Sequence, residues 1–441
     1  MNLRQDQLVM HSRNPLFYGW VVVAVGFLTL GVSFGLWYSF SVFFLSIIQE
    51  FGWTRAVASS IFSVFMLSQA AMGLVTGHLQ DRFGPRLVIP FGAAILSISL
   101  FFTSRAQSLW QFYAAYGVVA ATGVSLLGFS SHAVFIPKWF VRKRGLALGV
   151  TMSGIGFGML LLIPSVEWSI DLFGWRNTYL YLGGLALLLV APLGAVLLRR
   201  SPEDINLIPD GDRPDQKYQE RPASVMVQVV DEVWAAEDWT LKKATSTRRF
   251  WFVLIAFLFG SWVYQATLLH AISAMVDSGL QRDAAATYFG ILGIAGSVGK
   301  ILFGHLSDMY GRERINTLAG GVTALGLVCL MGLSWMESVM PLLFAILFGL
   351  GYGAAAPLFP SVSADIFLGR SFGLIFSMIY IGAGLGGSTG PFITGYLRDI
   401  SGSYAIPFAL LFLNLFLSSL FVWFASPRKV RKMVKNVAQL H

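Results

Sequence analysis

Gly77-His-Leu-Gln-Asp81-Arg-Phe-Gly84 reappears 227 positions later as Gly304-His-Leu-Ser-Asp308-Met-Tyr-Gly311. Each copy ends an apolar run of about 20 residues, the length a helix needs to cross a hydrocarbon core. The echo continues outward from both copies. Arg144, Ala147, Gly156 and Gly158 line up with Arg370, Gly373, Gly382 and Gly384 at an offset of 226, and Gly174-Trp-Arg lines up with Gly402-Ser-Tyr. A register held over this distance makes the chain two copies of one membrane unit.

The composition agrees. Of the 441 residues, 56% are hydrophobic and only 12% charged, and the mean hydropathy is +0.68. A soluble chain carries roughly 25% charged residues, so a soluble enzyme is excluded. Twelve apolar stretches read as spans: 17–46, 57–77, 87–104, 110–134, 146–168, 179–198, 250–275, 285–306, 316–334, 339–363, 372–396 and 405–424. They are continuous, without the dyad alternation of about 10 residues that marks barrel strands. The first is too long for a cleaved signal peptide and leads directly into the second. The fold class expected is all-α membrane: twelve transmembrane helices in two six-helix, pseudo-symmetric bundles.

With the N-terminus inside, 25 of the 31 Lys and Arg fall in inner segments, five in outer ones, and Lys300 within a span. That bias puts both termini in the cytoplasm, and it accounts for the net charge of +9 without nucleic acid. The domains expected are 1–198, an N-terminal bundle; 199–249, a cytoplasmic connector; 250–424, a C-terminal bundle; and 425–441, a basic tail. The connector reads as a solvated link whose end, from Asp238 to Arg249, has the makings of a short interfacial helix. The tail reads as an anchor to anionic lipid.

The Gly-x-Leu-x-Asp-x-x-Gly pattern after spans two and eight resembles motif A of the major facilitator superfamily, along the whole chain. Trp139-Phe-Val-Arg-Lys-Arg-Gly-Leu-Ala-Leu-Gly149-Val-Thr-Met-Ser-Gly154-Ile-Gly-Phe-Gly158 resembles the fifth-helix signature of its monocarboxylate transporters. Tyr18-Gly19-Trp20 and Gly174-Trp175-Arg176 are similar to bacterial members and to the related oxalate–formate antiporters. The resemblance implies the major facilitator fold in a bacterial inner membrane, as a monomer. It also implies that Asp81 faces the start of span eleven near Ser371-Phe372, latching the inner gate, with Arg82, Arg86 and Arg144 as cationic neighbours. Asp308, Arg312 and Arg314 would serve the pseudo-symmetric latch. Gly77, Gly84, Gly304 and Gly311 supply close approach and tight turns in the two motifs. A plain topology signal at a loop is the alternative reading.

Polar groups inside spans are expensive and therefore candidates for function. Lys300 lies eight residues before Asp308, roughly 12 Å inside the membrane face at 1.5 Å per residue. A cation there suits an anionic substrate, and it also has a proton to lose. The alternative is a Lys snorkelling to the face. In the resembling transporters an Arg holds this place; here it is Lys, a point charge without the bidentate fork. The Asp expected one turn earlier falls at Gly296, the first-helix Lys falls near Tyr38, and 372–396 contains no Lys or Arg. One buried cation favours a monoanion.

His132, with Ser130 and Ser131, is a second candidate for substrate or proton; a satisfied core histidine is the other reading. Glu167 is a proton-site candidate or an interfacial carboxylate. Tyr38, Tyr264, Tyr352 and Tyr380 are spaced to line a cavity or simply to pack. His270 lies near the outer mouth.

The function expected is a secondary active transporter moving a small organic monoanion such as lactate or pyruvate, coupled to a proton, by alternating access. The alternative is an exchanger, or an exporter of another organic anion or amphipathic compound. A membrane enzyme lacks its catalytic cluster: there is no histidine box and no Gly-x-Ser-x-Gly. The lone Cys329 leaves no cysteine metal site, and no cofactor or metal is expected.

Overall fold

The computed structural model describes residues 17–140, 144–209, 225–333, 339–369 and 371–435. Its membrane helices, in chain order, are α1 Tyr18–Phe51, α2 Arg55–Phe83, α3 Pro85–Ser104, α4 over 109–139, α5 over 144–173, α6 over 175–197, α7 Arg248–Asp277, α8 Arg282–Tyr310, α9 Arg312–Met331, α10 Met340–Phe367, α11 Phe372–Ser401 and α12 Ala405–Ala425. In a bilayer every peptide group needs a partner within the segment, so each apolar run closes on itself as a helix.

Length and apolarity alone mark ten spans among the described residues. Two features account for the difference from twelve. Helices α5 and α6 run on as one stretch through Gly174, where φ is 77°. Helix α4 is broken: it widens to i→i+5 hydrogen bonds over Tyr113–Ala120, stops at the extended Gly128, and restarts as Phe129–Trp139.

Helices α1–α6 form one bundle and α7–α12 the other, pseudo-symmetric down to single glycines, although packing equates Gly158 with Gly386, two residues beyond the Gly384 that the offset of 226 pairs with it. A Cβ on Gly158 would lie 2.0 Å from the Gly31 carbonyl oxygen, fixing α5 on α1. A Cβ on Gly386 would lie 1.9 Å from that of Leu258, fixing α11 on α7. Only a residue without a side chain lets two membrane helices come this close. The bundles meet each other mainly through two antiparallel pairs, α2 with α11 and α5 with α8, and α1 also touches α7 and α10.

One face of the molecule, the connector face, carries the links 83–86 and 310–312, the described parts of the connector and residues 427–435. The opposite, loop face carries Gly52, Gly174, Gly279 and Gly402.

Connector and tail are joined rather than separate. Strands β1 Val225–Val229 and β2 Arg431–Lys435 pair antiparallel, with Val225 opposite Lys435. Beneath the C-terminal bundle, Trp239 is buried edge-on against Phe367, and Trp234 Nε1 donates to the Ile366 carbonyl at 2.8 Å. Arg431 donates to the Asp365 carbonyl at 2.9 Å. These donors satisfy carbonyls at the end of α10 that the helix leaves without an internal partner. The basic segment that follows α12 therefore makes protein contacts as well as whatever it makes with lipid. Helix α7 begins at Arg248, one turn after the short helix Leu241–Thr245.

Candidate functional site

The bundles are together at the loop face and apart at the connector face. Along α2 and α11, Cβ atoms on Gly395, Gly387 and Gly384 would meet Arg55, Met66 and Ala70 within 3.0 Å. Nearer the connector face, Cβ atoms on Gly73, Gly77 and Gly373 would meet nothing within 4 Å. The α5–α8 pair behaves alike: a Cβ on Gly156 would lie 2.1 Å from the Gly293 carbonyl, while Gly149 has nothing near it. The two bundles thus enclose a wedge open toward the connector face.

A polar network seals the loop face. Arg55 pairs with Asp277 at 2.7 Å, Asp277 with Arg398 at 3.0 Å, and Arg55 Nε donates to the Tyr404 hydroxyl at 3.2 Å. The Asp399 carboxylate accepts the Arg55 and Ala56 amides at 3.1 and 2.8 Å. His270 is buried; its Nε2 lies 2.9 Å from the Pro391 carbonyl and 3.2 Å from the Ser59 hydroxyl of the other bundle. On the second pair, Arg282 Nε lies 3.1 Å from Glu167 Oε1, off the line for a hydrogen bond, while another Arg282 nitrogen donates to Ser46. Glu167 is therefore buried in a contact between bundles at the loop face, not in the wedge. Sequence reasoning gives no role to Arg55, Asp277 or Asp399, because charges at span ends are what topology alone requires.

Lys300 lies in the wedge. Close contacts of Gly296, Gly299, Gly349 and Gly353 hold α8 against α10 and fix its rotation; a Cβ on Gly353 would lie 2.9 Å from the Lys300 amide. Gly293 and Ser297 on α8 face α5, with Ser297 donating to the Ser153 carbonyl at 3.4 Å. Lys300 follows one turn on along the same face, where α5 has moved away. It is half-buried, and no described side chain pairs with its ammonium.

Tyr38, Tyr264 and Tyr352 gather on the loop-face side of Lys300. The hydroxyls of Tyr38 on α1 and Tyr352 on α10 are 2.5 Å apart, joining the bundles. The Tyr264 ring stands 5.5 Å from that of Tyr352, and Tyr380 lies within electrostatic reach of both Tyr38 and Tyr352. Tyr38 and Tyr264 are buried, whereas Tyr380 is half exposed.

His132 is placed elsewhere. It is fully buried within the N-terminal bundle, with Nδ1 2.9 Å from the Gly128 carbonyl and Nε2 2.8 Å from the Thr29 hydroxyl. Ser131 donates to the Leu126 carbonyl and accepts from Gln80 Nε2 at 2.8 Å. The break at Gly128 interrupts the backbone ladder in mid-membrane; Ser131 serves the Leu126 carbonyl, and the His132 ring adds to the His132 amide that already bonds Gly128 at 3.4 Å. His132, a substrate or proton candidate by sequence, here supports a broken helix together with Ser131. The side chains of Ser130, Asp81 and Arg144 lie outside the described residues.

At the connector face, Gly84 and Gly311 turn the chain with φ of 73° and 93°. Arg82 lies over the Phe83 ring, and Arg86 donates to the Ala195 carbonyl at 2.9 Å. Gly304 approaches Pro357 of α10. Arg312 is buried, bonded to Asp308 at 2.6 Å and to Asp365 at 3.1 Å, all within the C-terminal bundle. Arg314 is exposed.

Two pseudo-symmetric helical bundles around a wedge at mid-membrane, closed on one face and open on the other, are the architecture of a membrane transporter. A profile of the Major Facilitator Superfamily matches residues 25–387, and the chain belongs to that family. It is a transporter and not an enzyme. It is 28% identical over 429 residues to monocarboxylate transporter 11 of Homo sapiens, covering 93% of this chain and 83% of the relative. With monocarboxylate transporter 12 of Homo sapiens it shares 27% over 441 residues, 96% and 83% of the two chains. Among solved structures, an inward-facing, unoccupied bacterial homologue of the human lysosomal transporter Spinster superposes with a TM-score of 0.67 at 16% identity, over 94% of this chain and 98% of that one. A D-xylose–proton symporter superposes at 0.65 and 15% identity, over 93% and 98%. These last likenesses concern the fold.

Proposed function

We propose that the protein moves a small organic monoanion, of the size of lactate or pyruvate, with a proton, by alternating access in a bacterial inner membrane. Both termini and the connector face are cytoplasmic, so the wedge described above is an inward-open path. The observation that carries this reading is Lys300, a half-buried ammonium without a described side-chain partner, in the wedge beneath a roof of tyrosine hydroxyls. A lone cation in a low-dielectric setting favours a single negative charge, and the hydroxyls offer donors to the oxygens of a carboxylate. The names of the relatives support the same substrate class. Lys300 is also the group in the wedge that can release a proton as the anion leaves.

Uptake of labelled lactate and pyruvate into proteoliposomes, with and without an inward proton gradient, tests the proposal. Gradient-driven uptake that is lost in Lys300→Ala supports it. Lys300→Arg keeps a charge that does not titrate, so it is expected to retain anion exchange between equal pools while losing accumulation against a gradient. Uptake of neither anion by folded wild type removes those two substrates. Full activity in Lys300→Ala removes the site.

A further inference from the structure

The Gly-x-Leu-x-Asp-x-x-Gly motif of the connector face has further copies at the other face. Gly395-Tyr-Leu-Arg-Asp399-Ile-Ser-Gly402 repeats Gly-x-Leu-x-Asp-x-x-Gly at the loop-face end of α11, and Asp171-Leu-Phe-Gly174 keeps its second half at the end of α5. All four terminal glycines, Gly84, Gly174, Gly311 and Gly402, have positive φ, between 70° and 93°. The same ending therefore closes α2, α5, α8 and α11, the four helices of the two antiparallel pairs between the bundles.

Asp399 shows what its carboxylate does. Helix α2 begins with Arg55, and its first amides point out of the helix without internal partners. Asp399 takes those of Arg55 and Ala56, while the Thr54 hydroxyl takes that of Val57. A carboxylate at this position gains both the hydrogen bonds and the favourable end of the helix dipole. It belongs to the other bundle, so the cap is also a bond between bundles. At the opposite end of the same helix pair, Ser371 makes no side-chain cap on α11, and Gly373 and Leu374 in its first turn are exposed. Asp81 stands 26 residues after Arg55 and Asp399 stands 27 after Phe372, so each carboxylate is level with the other helix's start.

We propose that Asp399 is the loop-face latch of this transporter, holding the first turn of α2 when that face is closed and releasing it when that face opens. The antiparallel pair α2–α11 then carries one carboxylate at each end, and the wedge geometry lets only one be engaged at a time. This rests on the reading that the two bundles rock between two states.

The test reads conformation rather than transport. In a Cys329→Ser background, nitroxides at Gln107 and Val339 report the loop face, and nitroxides at Glu203 and Lys429 report the connector face, by pulsed electron resonance. Asp399→Ala is expected to raise the loop-open population relative to loop-closed by roughly twofold to fivefold, the scale of an exposed carboxylate at a helix start. Asp399→Asn keeps the shape and one acceptor oxygen and moves the ratio less, covering the case in which alanine fails to fold. Asp81→Asn is expected to move it the other way, and the double variant to return toward wild type. An unchanged loop-face distance in both Asp399 variants, with Asp81→Asn still shifting the connector face, overturns the latch and leaves rocking intact. Distances that move in no variant overturn rocking as well.

Discussion

Tyr38 on α1 and Tyr352 on α10 hold their hydroxyl oxygens 2.5 Å apart, a hydrogen bond that ties the two bundles together on the loop-face side of Lys300. Each ring is also packed by another aromatic: Trp37 stacks on Tyr38 at 5.3 Å, and Tyr264 meets Tyr352 at 5.5 Å. Removing either hydroxyl leaves the other without its partner, so Tyr38→Phe, Tyr352→Phe and the double variant form a closed cycle. The coupling in thermal melts is expected at about 1 kcal/mol in favour of the pair. A coupling of zero would mean that the bond is not formed in the purified protein.

Gly156 and Gly149 lie two turns apart on α5 and are expected to respond oppositely to alanine. A methyl on Gly156 would meet the Gly293 carbonyl oxygen at 2.1 Å, backbone against side chain, and has to push α5 off α8. Gly149 borders the open part of the wedge and has nothing within 4 Å. Melting temperature should fall clearly in Gly156→Ala and stay within error in Gly149→Ala. Equal losses would contradict the wedge.

His132→Ala is expected to cost stability rather than substrate affinity. The Gly128 carbonyl and Thr29 hydroxyl each lose one buried partner but keep another, the residue-132 amide and the Gly26 carbonyl, so the loss is expected at about 1 kcal/mol for each hydrogen bond removed. KM for uptake by the folded fraction should be unchanged. A raised KM with an unaltered melting curve would return His132 to the substrate path.

Glu167 and Arg282 join the bundles at the loop face, with the Glu167 side chain only 1% exposed and that of Arg282 25%. Glu167→Gln strands the arginine, at about 2 kcal/mol, below the range for a fully buried pair because Arg282 reaches solvent. Replacing both residues with glutamine should recover part of that loss. Strict additivity in the melts would mean that the two charges do not interact.

Most of the architecture was legible before any coordinates. Gly77–Gly84 and Gly304–Gly311 mark the same turn in each half, and both are followed by the helix they predict, α3 and α9. Apolar run length gave helix positions to within a turn or two; α2 continues to Phe83 and α11 to Ser401, because a helix carries on through the interface until a glycine turns it. Lys300 could be singled out because a charge inside a span has few innocent explanations. His132 was singled out for the same reason, and its partners Gly128 and Thr29 show why that signal is ambiguous: nothing in the sequence marks the broken helix whose carbonyls it serves.

The sequence by itself determined that this is a twelve-helix, two-bundle membrane transporter. Hydropathy and repeat register are properties of the chain, and a bilayer admits few backbone solutions. Tertiary structure alone decided which polar side chains meet. A helix presents all its faces in the sequence at once, and only packing selects the one that faces a wedge, a partner bundle or a buried carbonyl. That selection put Lys300 in the opening, His132 inside a bundle, and Asp399 on the first amides of a helix more than 340 residues before it in the chain.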